Sequence, residues 1–394
     1  MEQQEESLFR QGISALQAGQ AEQARASFQS AVDAGVATGR CYLGLALACL
    51  SQSDLSAAEA AIDATLKLEP ANLRALIIKG DIVFARTDNQ AAAAHYGLAL
   101  RIAAQQQGLP EPLKQDLNRI SARQQQLMHI FREHLMECLA SAGYSRPKAS
   151  DRFNASLDMM LGQIDRPEDT SPYPQAPHVY YLPELDYHTF YPEQRLPWLA
   201  KLEYNADVIA KELKTLLSTE AQTFAPYIHS GIDRPQHGPT ALLDSRNWTS
   251  AYLWEDGKPN AENMAKCPET TRLMNELPLT LIEGFAPSVL FSKLDPGARI
   301  EPHTGMLNTR LICHLPLVVP DNCALRVGAD TRVTERGRAW AFDDSINHEA
   351  WNDSNAERVI LLFDVWRPDV REDERHYIKV LLEAVSSYRS SVVV

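Results

Sequence analysis

Five short β-rich segments follow one another between residues 288 and 366, and Gly, Pro or Asp residues separate them. They read SVLFSKL, RLICHLPLVV, CALRVG, RAWAFDD and RVILLFDVW. Strands this numerous and this evenly spaced are typical of antiparallel architectures that close two sheets over one core. The region therefore predicts a double-sheet jelly roll of the cupin type, also called a double-stranded β-helix.

Isolated polar residues share strand faces with aliphatic residues in this region. A strand places alternate side chains on the same face, so Arg310, Ile312 and His314 lie together on one predicted strand. Arg358 and Leu362 lie together on another. A few polar groups among aliphatic side chains suit an interior pocket better than a solvent-facing surface.

Two histidines at the edges of these strands form a candidate metal site. His303 and His348 flank the region, and Arg358 follows inside the next strand, where it can hold an acidic cosubstrate. Neutral imidazole suits Fe(II), and non-haem oxygenases normally complete the ligand set with a carboxylate. That carboxylate usually comes two positions after the first histidine, where this chain has Gly305. Either the site binds no metal, or two histidines bind it while water and cosubstrate fill the remaining positions.

The N-terminal part of the chain carries an internal repeat. Residues 5–104 are rich in Ala and Leu with helical periodicity, and Gly12 and Phe28 have the same spacing as Gly80 and Tyr96. This self-similarity resembles tetratricopeptide repeats, in which small residues let paired helices touch. The prediction is an N-terminal α-solenoid whose groove holds a peptide or a partner protein. A plain helical bundle with Ala-rich contacts is the alternative.

Composition along the chain places two further segments between the repeats and the jelly roll. A long helical stretch covers residues 112–142, and prolines at 165–177 indicate a linker. His229 and His237 lie in a later Gly/Pro-rich loop, where a substrate-lining and a solvent-exposed position both remain open. The predicted domains are repeats at 1–110, a helical extension with the proline-rich linker at 111–177, and the jelly roll at 178–394.

Composition also excludes several classes of function. Acidic residues outnumber basic ones by 51 to 38, which gives a formal net charge of −13, and no basic stripe for nucleic acid is visible. No apolar run reaches the roughly 18 residues that span a bilayer, and the polar N-terminal segment reads neither as a secretory signal nor as a transit peptide. The 6 cysteines form no CxxC pair and are interpreted as reduced thiols. We therefore expect a cytoplasmic protein without nucleic-acid or membrane partners.

Four motifs occur in order along the second half of the chain. They read PHTG, RLICHLPLVVP, FDDSINHEAWN and DVWRP. Over roughly residues 178–370 the chain resembles the aspartyl/asparaginyl β-hydroxylase family, and the resemblance implies a catalytic domain that uses Fe(II), 2-oxoglutarate and O₂. That family lacks the third carboxylate ligand, so Gly305 agrees with the resemblance.

The resemblance also implies a role for each residue of the metal and cosubstrate site. His303 and His348 would bind Fe(II) and, with Arg358, would be catalytic. Arg358 and Ser292 would hold the distal carboxylate of 2-oxoglutarate, since a guanidinium matches a carboxylate with two hydrogen bonds. His314 would lie near the carboxylate that chelates iron.

On the substrate side the resemblance is less complete. Arg310 would bind substrate, whereas Ile312 stands where animal members of the family carry an arginine, so their specificity does not transfer. The first hypothesis is a dioxygenase that hydroxylates aspartyl or asparaginyl side chains of a peptide or protein recruited by the repeats. The alternatives are a hydroxylase or halogenase of a small molecule or lipid, and a repeat scaffold without catalysis.

Overall fold

The chain divides into two compact units in the computed structural model. The residues that the structure describes are 2–34, 38–219, 224–227 and 242–388. Among these, the first unit extends to Glu133 and the second runs from His134 to Ser387. The boundary that the sequence indicates at 165–177 stays a prediction.

The proline-rich segment is attached at its C-terminal end rather than free. Gln175 forms a β-bridge with Ile346, and its side-chain Nε2 donates a hydrogen bond of 2.6 Å to Asp343 Oδ2. Arg166 Nη1 donates to the Pro177 carbonyl at 2.8 Å. These bonds make the end of the segment part of the second unit.

The first unit begins with six helices, and a longer seventh follows. Their bounds are α1 Glu2–Gln17, α2 Ala21–Asp33, α3 Gly39–Ser51, α4 Leu55–Leu68, α5 Leu73–Ala85, α6 Asn89–Ala104 and α7 Glu111–Ser141. Helix α1 packs on α2, α3 on α4, and α5 on α6. Asp54, Asn72 and Asp88 precede α4, α5 and α6, and each side chain accepts a backbone N–H of the first turn. Such caps satisfy N–H groups that have no partner within the helix.

Glycines facing aromatic rings explain the repeated spacing in the sequence. A Cβ placed on Gly12 would lie 2.7 Å from the Phe28 ring, and one on Gly80 would lie 2.4 Å from the Tyr96 ring. A Cβ on Gly44 would also meet Phe28, at 2.5 Å. Both rings are fully buried. Because only glycine leaves room for the ring, the predicted helical repeat is confirmed as a packing unit.

Six shorter helices belong to the second unit. Their bounds are α8 Asp151–Met160, α9 Leu199–Tyr204, α10 Ala206–Thr219, α11 Ala261–Lys266, α12 Pro268–Met274 and α13 Glu372–Ser387. Residues 197–218, PWLAKLEYNADVIAKELKTLLS, have the apolar spacing of one helix that opens at Pro197, whereas the structure has the two helices α9 and α10. Asn205 lies between them. Its side-chain Nδ2 donates to the Lys201 carbonyl at 2.7 Å and competes there with the longer backbone bond from the Asn205 N–H, at 3.3 Å. Within the described ranges, no helix combines the length and apolarity needed to cross a membrane.

Two antiparallel sheets form the centre of the second unit. The strands are β1 Ala225–Pro226, β2 Trp248–Glu255, β3 Lys258–Pro259, β4 Val289–Leu294, β5 Arg299–His303, β6 Arg310–Val318, β7 Cys323–Val327, β8 Asp330–Val333, β9 Trp340–Phe342, β10 His348–Asn352 and β11 Arg358–Trp366. The larger sheet has the order β1-β2-β4-β11-β6-β9, with β3 paired to β2, and the smaller has the order β5-β10-β7-β8. The predicted double-stranded β-helix is confirmed.

The two faces of the larger sheet bury different sets of side chains. On one face Leu361 of β11 clusters with Leu213 of α10, so this face packs against helices. On the opposite face Leu294 and Ile312 cluster with Ile300 of the smaller sheet. We call this second face the inner face. Each large apolar side chain buried there contributes about 1.5–3 kcal/mol of stability, and the polar groups among them form the candidate site.

Candidate active site

Two histidines face each other across the smaller sheet. His348, the first residue of β10, pairs with His303, the last residue of β5, and its other neighbour is Val327 of β7. The two imidazole centroids are 4.1 Å apart with an angle of 51° between the rings. The structure therefore brings the predicted histidine pair together, although the residues are far apart in sequence.

Backbone carbonyls fix the orientation and tautomer of both rings. His303 Nδ1 lies 2.7 Å from the Glu301 carbonyl oxygen, and His348 Nδ1 lies 3.0 Å from the Ile346 carbonyl oxygen. A carbonyl oxygen can only accept a hydrogen bond, so Nδ1 carries the proton in both neutral rings. The lone pair is then on Nε2, the atom that binds a metal in such arrangements.

Burial keeps both imidazoles neutral. It lowers the pKa of His303, and burial together with the neighbouring His303 lowers the pKa of His348 to about 3. In the described part of the chain, no set of three or more His, Cys, Asp or Glu side chains could hold a metal. Two neutral imidazoles leave several coordination positions open, as Fe(II) oxygenase chemistry requires.

A buried guanidinium also lies on the inner face, and no described carboxylate pairs with it. Arg358 opens β11 opposite Leu294 of β4 and is 2% exposed. Within the described ranges no carboxylate pairs with it, and its Nε has no hydrogen-bond partner. Burial lowers its pKa to about 10. An unpaired buried charge costs several kcal/mol, so this position fits an anionic ligand.

Ser292 shares the inner face with Arg358 and has a partner that sequence analysis missed. Ser292 lies opposite Ile360, two residues beyond Arg358, and opposite Ser250 of β2. Trp248 Nε1 donates to Ser292 Oγ at 3.1 Å. Because an indole N–H can only donate, Ser292 Oγ is the acceptor of this bond. The Ser292 hydroxyl can therefore donate its own proton to another acceptor. Residues 247–254, NWTSAYLW, have a composition that predicts a strand, but that pattern does not show which serine Trp248 would contact.

His314 lies between the histidine pair and Arg358. On the inner face of β6, it packs edge-on against Phe342 at 5.1 Å, and Phe342 also contacts His348 at 5.3 Å. Burial and then the charge of Arg358 lower its pKa well below the usual value. His314 is therefore a neutral group beside the candidate metal ligand His348 and the buried charge of Arg358.

Arg310 is already paired with two buried carboxylates. Its Nη1 is 3.0 Å from Asp364 Oδ2, and its Nη2 is 3.4 Å from Asp344 Oδ2. Burial raises the pKa of Asp364 and raises that of Asp344 to about 7. The substrate-binding role of Arg310 stays a prediction. Ile312 adds no cation beside it, and His229 and His237 lie outside the described residues.

The absence of a side chain at Gly305 leaves room for the Asp344 carboxylate near His303. A Cβ on Gly305 would lie 1.9 Å from Asp344 Oδ2, and the Gly305 N–H donates to the Asp344 carbonyl at 2.6 Å. Any side chain at position 305 would therefore displace this carboxylate. The neighbouring Asp343 instead pairs with Arg367, at 2.6 Å.

The Gly305→Ala substitution is expected to destabilise the second unit. The added methyl group overlaps Asp344 Oδ2, and overpacking of this kind costs about 1–3 kcal/mol. Chemical unfolding of the variant measures the loss. In an Asp344→Ala background the same glycine substitution should cost much less, and an equal cost in both backgrounds would contradict the proposed overlap.

Two family models match parts of the chain. Residues 203–368 match the family described as "Aspartyl/Asparaginyl beta-hydroxylase". Residues 9–63 and 50–107 match the tetratricopeptide repeat. The first match contains all the site residues described above, and the second covers the helical repeats.

Three curated relatives illustrate the similarity. "Aspartate beta-hydroxylase domain-containing protein 2" of Xenopus tropicalis is 31% identical over 204 residues, 51% of this chain and 53% of that protein. "Aspartyl/asparaginyl beta-hydroxylase" of Homo sapiens is 33% identical over 143 residues, 36% of this chain and 18% of that protein. "Ornithine lipid ester-linked acyl 2-hydroxylase" of Rhizobium tropici is 32% identical over 184 residues, 45% of this chain and 60% of that protein. The chain thus spans about half the length of the first relative and less than a fifth of the second.

Among solved structures, a Pseudomonas putida prolyl-4-hydroxylase is similar over 43% of this chain and 99% of its own. The sequence identity is 15% and the TM-score 0.27. A score this low supports no inference about function.

Proposed function

Because the chain carries an aspartyl/asparaginyl beta-hydroxylase domain behind tetratricopeptide repeats, we propose that it is an Fe(II)- and 2-oxoglutarate-dependent dioxygenase. Its substrate is an aspartyl or asparaginyl side chain of a peptide or protein. The observation that carries the proposal is Arg358, a buried cation without a carboxylate partner in the described ranges, on the face that also holds His314. The cytoplasmic location stays a prediction.

Each site residue has a defined task in this proposal. Nε2 of His303 and Nε2 of His348 would hold Fe(II), and the backbone bonds at Nδ1 keep both rings oriented. Arg358 and the hydroxyl of Ser292 would bind the distal carboxylate of 2-oxoglutarate. His314 would lie beside its other end. When bound, Fe(II) with 2-oxoglutarate and O₂ replaces a substrate C–H by C–OH and releases succinate and CO₂.

The surrounding apolar side chains protect this chemistry from water. Ile312 and Phe342 separate the polar groups of the inner face, and both are buried. In a water-poor site the attraction between Arg358 and a carboxylate is stronger than in solvent. The site therefore binds cosubstrate through a few preformed contacts rather than through a broad charged surface.

Anaerobic addition of Fe(II) and 2-oxoglutarate to the full chain tests this function. The expected result is a visible metal-to-ligand absorption band, followed by succinate release once O₂ is admitted. A chain that gives no band at saturating Fe(II) and 2-oxoglutarate would contradict the proposal and leave the scaffold alternative.

The Trp248→Phe substitution is expected to weaken 2-oxoglutarate binding moderately. Trp248 stacks on Tyr227 with ring centroids 4.1 Å apart. Phenylalanine keeps this stacking but loses the N–H that donates to Ser292 Oγ, and a single hydrogen bond contributes about 0.5–1.5 kcal/mol. The KM for 2-oxoglutarate should rise roughly threefold to tenfold. If Trp248 acts through the serine, the substitution should have little further effect in a Ser292→Ala background, and additive effects would contradict this coupling.

The repeat unit supports a protein or peptide substrate, since stacked helical repeats form extended binding surfaces. A lipid is the second candidate, because the Rhizobium tropici relative named as an acyl 2-hydroxylase is 32% identical. Deleting the repeats distinguishes the two candidates. A shortened chain that still hydroxylates a lipid but no longer hydroxylates any peptide would favour the second candidate.

A further inference from the structure

A buried cluster of three charged groups lies on the inner face beside the histidine pair. Arg310 contacts Asp364 at 3.0 Å and Asp344 at 3.4 Å. The three side chains are 6% exposed or less. When both carboxyls are ionised, the single guanidinium leaves the cluster with a net charge of −1.

The cluster lies on the opposite side of His314 from Arg358. Along β11, Trp366 is opposite Arg310 and Leu362 is opposite His314, and Arg358 follows at the far end of the strand. Six residues separate Asp364 from Arg358, about 20 Å of strand. The cluster is therefore near the metal position but remote from the distal cosubstrate carboxylate, in the region left for the substrate.

Two buried atoms of the cluster have no hydrogen-bond partner among the described residues, the acceptor Asp344 Oδ1 and the donor Arg310 Nε. Asp344 Oδ1 is buried and accepts no hydrogen bond from the part of the chain that the structure describes, whereas Oδ2 faces Arg310. Its carboxylate lies against Gly305, two residues after His303. A buried acceptor without a donor costs about 1–3 kcal/mol. A ligand that donates an N–H to this oxygen recovers that cost.

We propose that the site accepts a side-chain amide in preference to a carboxylate, so that asparaginyl rather than aspartyl residues are its substrates. The proposal rests on the dioxygenase function above. An amide both donates and accepts, so it complements Asp344 Oδ1 whichever protonation state that carboxyl has. A carboxylate only accepts, and it adds a second negative charge where Ile312 supplies no compensating cation.

The reaction leaves the amide intact. One C–H bond of the asparaginyl β-carbon is replaced by C–OH, which takes one atom of O₂. The second atom enters succinate as 2-oxoglutarate loses CO₂. The asparaginyl residue and 2-oxoglutarate each lose two electrons, and together they supply the four electrons that O₂ accepts.

Two peptide pools test the selectivity with the full chain, Fe(II) and 2-oxoglutarate at pH 8. Each pool has a fixed central residue, Asn or Asp, and random flanks that contain neither. Hydroxylation is measured by tandem mass spectrometry, and succinate is measured in parallel. The Asn pool should be hydroxylated at least about tenfold faster, the equivalent of one hydrogen bond to a charged group. Equal or faster hydroxylation of the Asp pool would overturn the proposal.

Position 312 provides the matched variants. Ile312 lies opposite Asp364 on the strand face that it shares with Arg310. Ile312→Arg adds a cation there and should reduce the Asn-to-Asp ratio to near one, whereas Ile312→Leu should keep it. An unchanged ratio in the folded arginine variant would contradict the charge argument. An absorption band without hydroxylation of either pool would show that the proposed peptide substrate is wrong, and the amide preference would fall with it.

Discussion

The His348→Ala variant is expected to lose Fe(II) binding and hydroxylation together. His348 supplies one of only two candidate imidazole ligands, and no described group of three or more metal-binding side chains could replace it. A bound metal lowers a reaction barrier by several kcal/mol, so turnover should fall by on the order of 1000-fold or more. The visible band with 2-oxoglutarate should disappear at the same Fe(II) concentration that saturates the unmodified chain.

Two companion variants separate ligand loss from unfolding. His348→Gln keeps most of the buried volume and should also lose the band, because an amide is a poor iron ligand. His129→Ala removes an exposed histidine that lies 3.3 Å from Glu133 on α7 and should leave the band unchanged. Full activity in His348→Gln would contradict the assigned ligand.

Replacing Arg358 by methionine is expected to have opposite effects on stability and on cosubstrate binding. Without ligand, the guanidinium is a buried charge that no described carboxylate neutralises, so its removal should raise the free energy of unfolding by about 1–4 kcal/mol. The same change removes the proposed partner of 2-oxoglutarate and should raise the Kd for this ligand by on the order of 100-fold or more. Calorimetry with and without 2-oxoglutarate measures both effects, since only the unmodified chain should be stabilised by the ligand.

Arg367 is the matched control for this stability experiment. It is as buried as Arg358, but it pairs with Asp343 at 2.6 Å and Asp369 at 3.2 Å. Arg367→Met leaves two carboxylates without their cation and should lower the free energy of unfolding by about 3–5 kcal/mol. If both methionine variants were destabilised equally, the unpaired state of Arg358 would not be a feature of the folded chain.

Strand periodicity predicted the faces of this fold but not the pairs formed across it. The period of two placed Arg310, Ile312 and His314 on one side of β6, and the structure has them on the inner face. Arg310 pairs with Asp344 and Asp364 because of the register between strands that are distant in sequence. The alternation of side chains along one strand does not predict that register. The contact of Trp248 with Ser292 was hidden for the same reason.

Local chemistry overrode periodicity at one helix. The apolar spacing from Pro197 onward is continuous, and it gave no sign that Asn205 would divide the helix through its own side chain. In the repeats, by contrast, the pairing of a glycine with an aromatic ring leaves a spacing visible in the chain itself, because both partners recur at the same offsets.

The bonds that orient His303 and His348 affect how this site tolerates mutation. Both acceptors are main-chain carbonyls, at Glu301 and Ile346, so no side-chain replacement at either position removes them. Enzymes that orient a histidine with a carboxylate can lose that support through a single point mutation. Here the residues at positions 301 and 346 can change while both imidazoles keep their orientation. The orientation depends on the backbone and not on particular side chains.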